Sequence, residues 1–149
     1  MEIDPRGPRC AALITTFVLA VVLVTGSVWL LAAQAVVFGA GAILGLRYSP
    51  YGLLYRRLVR PRLGPPAELE PEAPPRFAQA VGLAFAVAGV AGYLAGLAWL
   101  GMAATAAALA AAFLNAAFGL CLGCEMYVLI RRIRPARRAL VPASADKEV

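Results

Sequence analysis

Histidine is absent from this chain, and only one of its 14 basic side chains, Lys147, is a lysine. Without histidine the commonest metal ligand and the proton shuttle that works near neutral pH are both missing. That excludes haem held by imidazole and the histidine-based zinc hydrolase motifs. Charge of any sign is scarce, at 15% of residues, and it avoids two long stretches almost completely. Cys10–Leu46 and Phe77–Ile130 contain no Lys or Arg and a single acid, Glu125. Every basic residue flanks one of these stretches, so no separate fold is left to bind nucleic acid.

What fills the chain is apolar: 62% hydrophobic residues, with a mean hydropathy of +0.77. A soluble domain of 149 residues could not hide that much apolar surface. A membrane-spanning helix needs roughly 20 apolar residues. Each stretch is too long for one span and long enough for two, which predicts an all-α integral membrane protein of four spans arranged as two hairpins. The basic residues fall in three blocks: Arg6 and Arg9, Arg47 to Arg76, and Arg131 to Lys147. An even number of spans keeps all three on one side, and the positive-inside rule makes that side, with both termini, cytoplasmic. The net charge of +6 then reads as a topological signal and as attraction to anionic lipid headgroups, worth about 1 kcal/mol per basic residue near the surface. Arginine in place of lysine amid abundant Ala, Gly and Pro suggests a GC-rich bacterial genome, hence the inner membrane. Ala33-Gln34-Ala35 has the small-residue form of a signal-peptide cleavage site. The apolar run continues to Leu46 and acids precede it, which argues against cleavage.

Along the chain, residues 10–46 form hairpin one, with Thr25-Gly26-Ser27 as its turn, and residues 77–130 form hairpin two, turning at Ala95-Gly96. Helix four is expected to start near Gly101. Trp29 and Trp99 sit at the two turns, where an indole suits the membrane interface. Residues 47–76 form the loop between hairpins. Within it, Tyr51, Leu54, Tyr55 and Leu58 share one helical face, with Ser49 as N-cap and Pro50 as first helical residue. This predicts an interfacial helix over 49–63. Pro65 to Pro75, carrying Glu68, Glu70 and Glu72, reads as an extended acidic linker. Residues 131–149 form a basic tail, mobile after Pro135. The halves resemble each other. Pro8-Arg9-Cys10-Ala11 matches Pro75-Arg76-Phe77-Ala78, and the basic segments around Arg56-Arg57 and Arg131-Arg132 match in turn. Two parallel repeats about an axis along the membrane normal account for this.

One segment has chemical character: Gly119-Leu120-Cys121-Leu122-Gly123-Cys124-Glu125-Met126-Tyr127. Counting from Gly101 places Cys121 and Cys124 near the cytoplasmic boundary, a reducing compartment that disfavours a permanent disulfide. A CxxC there points to reversible redox or sulfur chemistry, with Cys124 attacking and Cys121 resolving. A straight helix four would set the negative end of its dipole against a thiolate. A break at Gly123, with Cys124 capping a new helix, removes the objection. Close helix packing by small residues is the bland alternative. Metal binding would need further donors or a dimer, since one CxxC gives two ligands. Cys10 lies at the same level and offers a third thiol. The polar residues Gln34, Gln79 and Asn115 are expected to bond across helices and lock the bundle. An ion or substrate path is the sharper alternative, and the lack of a mid-membrane ionisable residue argues against proton-coupled pumping.

Asp4-Pro5-Arg6-Gly7-Pro8-Arg9, Ser49-Pro50-Tyr51-Gly52, Pro75-Arg76-Phe77-Ala78-Gln79 and Asn115-Ala116-Ala117-Phe118-Gly119 before the cysteines resemble the bacterial membrane proteins of domain-of-unknown-function family 4395. The resemblance covers roughly residues 4 to 134. It implies an association with thioredoxin-like or rhodanese-like partners and assigns no catalytic residue. Three functions stay open on the sequence: a thiol–disulfide or sulfane-sulfur component, a non-enzymatic scaffold or accessory subunit whose cysteines organise a homo-oligomer, and a small permease for a sulfur compound.

Overall fold

A computed structural model describes residues 2–66 and 68–139, with side chains as far as Ile133. It is all-helical, with 79% of residues in helix. The helices are α1 (Arg6–Thr25), α2 (Val28–Ile43), α3 (Pro50–Leu54), α4 (Ala73–Leu94), α5 (Ala98–Phe118) and α6 (Leu122–Ala139). A two-residue strand β1 (Glu2–Ile3) pairs antiparallel with β2 (Glu70–Pro71).

Three helices, α1, α4 and α5, are long and apolar enough to cross a membrane. The 16 residues of α2 rise only roughly 24 Å at 1.5 Å each, short of a hydrocarbon core about 30 Å thick. Prolines tolerated in a first helical turn let the helices begin earlier than the apolar pattern suggests: α1 at Arg6, with Pro8 in its first turn, and α4 at Ala73, ahead of Pro74 and Pro75. Both expected turns are present. Gly26 takes a left-handed φ of 65° and donates its N–H to the Val22 carbonyl. Ser27 caps α2 by accepting from the Leu30 N–H at 3.3 Å. Gly96, at φ 75°, closes the second turn.

The helices associate across the two apolar stretches more than within the first. α1 lies along α5 and α2 along α4, while α1 and α2 touch each other little. Leu19 and Val22 of α1 meet Leu31 and Phe38 of α2, Ala86 of α4 and Ala108 of α5 in a continuous core. α4 and α5 close on each other at Gly92, where an added Cβ would lie 2.8 Å from the Gly101 backbone nitrogen. Such small-residue contacts suit helices that pack by van der Waals attraction rather than by escape from water. The outer surface stays apolar: Phe17 is 73% exposed, Val36 72% and Trp29 86%. Buried residues make up only 28%, 17% and 22% of the most apolar windows of α1, α4 and α5. Surface of this kind suits contact with lipid or with another protein.

The central segment departs from the expected single helix over 49–63. α3 passes into a π-helical turn over Tyr55–Val59 and a 3-10 turn over Arg60–Arg62. Tyr55, at the start of the widened turn, is buried and Tyr51 in α3 is half-buried, while Leu54 and Leu58 stay exposed. The tyrosine hydroxyls explain the split. Tyr51 donates to Gln34 Oε1 at 2.7 Å, and Tyr55, 3% exposed, donates to Asp4 Oδ2 at 2.8 Å. Burial and the neighbouring Asp4 carboxylate push the Tyr55 hydroxyl up to about 12. The acidic linker is likewise not wholly solvated. Glu72 is buried and accepts from the Leu46 N–H at 3.0 Å. The tail after Pro135 is helical as far as Ala139, and the rest of it lies outside the described residues.

Candidate functional site

α5 stops where its sequence allows a left-handed residue. Gly119, at φ 69°, donates its N–H to the Asn115 carbonyl, an αL ending that favours glycine. Three residues later α6 begins, with the Glu125 N–H donating to the Cys121 carbonyl at 3.0 Å. The helix break therefore falls at Gly119, not at Gly123, and the N-cap position belongs to Cys121, not to Cys124. Gly123 has a different job. A Cβ there would lie 2.6 Å from the Cα of Ala78, so glycine lets the first turn of α6 rest directly on α4.

This position decides the electrostatics of the pair. The neighbouring Cys124 thiol, as a donor, and the first-turn backbone N–H groups of Gly123 and Cys124 favour the Cys121 anion. Together they bring Cys121 down to about 7, against the opposing effects of burial and of the Glu125 charge. Cys124 moves the other way. It holds its proton as the donor, and burial and the negative charges of Cys121, Glu70 and Glu125 push it well up. The two thiols titrate as a pair, with the N-cap position favouring the anion on Cys121. All three cysteines are free and partly buried, including Cys10 in the second turn of α1.

The pair opens onto a cleft of about 720 Å³ between α1, α4 and α5. Its mouth carries Arg9, Glu70 and Glu125, and its walls run past Gln79 and Asn115 to Phe38 and Phe85. The Arg9 guanidinium fills the space that a side chain at Gly119 would need. Of the three polar residues singled out in the sequence, one behaves as a lock. Gln34, 1% exposed, donates to Thr15 Oγ1 at 3.4 Å and accepts from Tyr51. Gln79 and Asn115 instead line the cleft. The cleft itself, and the approach of Glu70 from the far loop, are not visible in the sequence. The signal available there was a pair of amides on facing helices without an evident partner. Among the described residues no group of three or more Cys, Asp or Glu side chains is placed to hold a metal ion.

No curated protein and no solved structure matches the chain. A family model, Domain of unknown function (DUF4395), matches residues 3–132. With nearly the whole length matched, the chain belongs to that family.

Proposed function

We propose that the protein is a membrane-embedded dithiol component that exchanges electrons or sulfur with a soluble partner through Cys121 and Cys124. The observation that carries this reading is the N-cap position of Cys121, where a neighbouring thiol and two backbone N–H groups favour its anion. Thiolates of this kind are the nucleophiles of thiol–disulfide chemistry. The geometry favours exchanging the roles expected from the sequence: Cys121 attacks and Cys124 resolves. Cys121 displaces one sulfur of a partner disulfide to form a mixed disulfide. Cys124 then loses its proton and attacks the Cys121 sulfur, releasing the partner as a dithiol. Two electrons pass to the partner and one disulfide forms here. With a persulfide donor, the same thiolate would take up the terminal sulfur. A thioredoxin-like or rhodanese-like protein fits the partner's part.

The surrounding architecture is read as four spans with both termini cytoplasmic, α2 serving as a short span drawn in by its neighbours. Three observations support this. The cysteines follow the end of α5, at the end of the bundle where Arg6, Arg9 and Arg76 start α1 and α4. Trp29 and Trp99 are exposed at the opposite turns, 86% and 66% respectively. The two stretches also have matching parts: Gly26 and Gly96 at one end, Gly45 and Gly119 at the other, all with positive φ. Arg76 donates to the Ala42 and Ile43 carbonyls at the end of α2, while Arg9 lies at the end of α5. α6 would lie in the inner interface and direct Arg131 and Arg132, both exposed, to anionic headgroups.

Alkylation of Cys121 and Cys124 across pH in native membranes tests the redox reading. It requires one thiol titrating near 7 and protected after oxidation. Slow labelling of both, with no oxidised form, would leave the scaffold reading in its place. In that reading Gly123 against Ala78 shows why small residues are needed here. Uptake of a sulfur compound into vesicles, lost on Cys121→Ser, would instead mark a permease.

A further inference from the structure

The dithiol faces in two directions, and only the outward one suits a soluble partner. The inward one is the cleft. From Phe118 back to Ala107, the deepest α5 residue lining it, the helix rises roughly 16 Å at 1.5 Å per residue, so the cleft reaches well into the apolar bundle. A volume of about 720 Å³ lies within the roughly 300–1,000 Å³ of small-molecule sites. Its α5 wall is built of alanines, which leaves a smooth slot, and its far end carries Phe85, which is 39% exposed on the outer apolar surface. The cleft is lined by two residues with amide side chains, Asn115 on α5 and Gln79 on α4, the latter packed with its Oε1 against Gly41 of α2. Unlike Gln34, neither makes a side-chain hydrogen bond among the described residues. Both residues are partly buried, so their amides remain open to a ligand entering the cleft. Each amide offers N–H donors. The shape and chemistry are those of a ligand that is planar, apolar, soluble in lipid and edged with carbonyl oxygens.

We infer that the cleft is the binding site of a lipid-soluble quinone, with Gln79 and Asn115 donating to its carbonyl oxygens and Cys121 and Cys124 facing its ring. This rests on the dithiol reading above with its exchange running in reverse: a partner dithiol returns two electrons to the Cys121–Cys124 disulfide, and the quinone then accepts them from the restored dithiol. The Cys121 thiolate adds to a ring carbon. The Cys124 thiol gives its proton to the reduced ring oxygen, and its sulfur attacks the Cys121 sulfur. The carbon–sulfur bond breaks, and its electron pair leaves with the ring. The proton that Cys121 had released to solvent completes the hydroquinone. Two electrons and two protons pass from the dithiol to the quinone, and one disulfide remains. The tail leaves toward lipid past Phe85.

The full-length protein is placed in lipid nanodiscs, reduced, freed of reductant and mixed with ubiquinone bearing one isoprene unit. The expected result is one quinone reduced and two thiols lost per chain, followed by quinone absorbance and thiol counting. Cys121→Ser abolishes it. Gln79→Leu and Asn115→Leu each slow it by up to about tenfold, the worth of a neutral hydrogen bond. Ala111→Phe fills the slot and blocks it. A non-reducible hydroxyquinoline N-oxide should also slow alkylation of Cys121 in the unmodified protein, a readout that does not depend on any variant folding. If the protein is oxidised by a small soluble disulfide but not by the quinone, the quinone site is wrong and the dithiol reading stands. If neither oxidant acts, the dithiol reading itself fails. If the quinone acts equally on Ala111→Phe and on both amide variants, the cleft is not where it binds.

Discussion

Cys121 differs from Cys124 in where it stands on a helix, and their chemistry should follow. At pH 7 a thiol titrating at about 7 is roughly half thiolate, whereas one at an ordinary value of about 8.5 is about 3% thiolate. Alkylation of Cys121 should therefore rise through pH 7 and level off above it, while Cys124 stays slow throughout. Cys124→Ala removes the donor that contributes most and should move the Cys121 midpoint up toward about 8.5. Cys124→Ser keeps an O–H donor and should move it less. Mass spectrometry of labelled peptides across pH checks both. The cysteine pair was plain in the sequence, and so was the need for a helix start beside it. Which cysteine capped the helix was not, because Gly119 and Gly123 are equally good places to stop a helix. Only the left-handed backbone at Gly119 and the contact of Gly123 with Ala78 tell them apart.

Helix ends and crossings are where the elements depend on single residues. Gly123→Ala would force α6 away from α4, so it should lower the melting temperature in detergent and raise the Cys121 midpoint as the site loosens. Overpacking of this kind costs about 1–3 kcal/mol. Arg76 ties α4 to the last carbonyls of α2 through two donors, at 3.0 and 3.3 Å to Ala42 and 3.0 Å to Ile43. Arg76→Leu should cost about 1–3 kcal/mol, the price of hydrogen bonds to a charged group, and Arg76→Lys should recover only part of it because it lacks the planar fork. Gln34→Leu strands the Tyr51 hydroxyl and should cost about 1 kcal/mol, since polar contacts between membrane helices average below that and reach somewhat above it. Thermal unfolding in one detergent ranks all three. Turns were legible at this scale because Gly26, Ser27 and Gly96 carry local signals. The π turn at Tyr55–Val59 was not. Its first residue, Tyr55, is held by Asp4, which is remote in sequence.

For the molecule as a whole, the apolar pattern marked the helical class and helices able to cross a membrane, but not how the helices pair, since lipid-facing and helix-facing residues are equally apolar. Four spans with an inward-facing dithiol make a topological prediction. Cysteine placed at Ser27 or at Gly96 in a Cys-free background should react with an impermeant maleimide in intact cells. Cys121 and a cysteine placed at Arg57 should react only after the membrane is opened. Reaction of Ser27 and Gly96 from opposite sides would sink the four-span reading. The pairing of α1 with α5 and of α2 with α4 bears on synthesis at the ribosome. The first two helices emerge with little to hold them to each other, and their partners arrive only after the central loop has been made. On the four-span reading, the first two helices wait until then in the bilayer with their inner faces uncovered, customers for whatever guards unfinished membrane proteins. Cutting the gene within that loop and expressing both pieces together should therefore restore a folded protein, while either piece alone should be degraded.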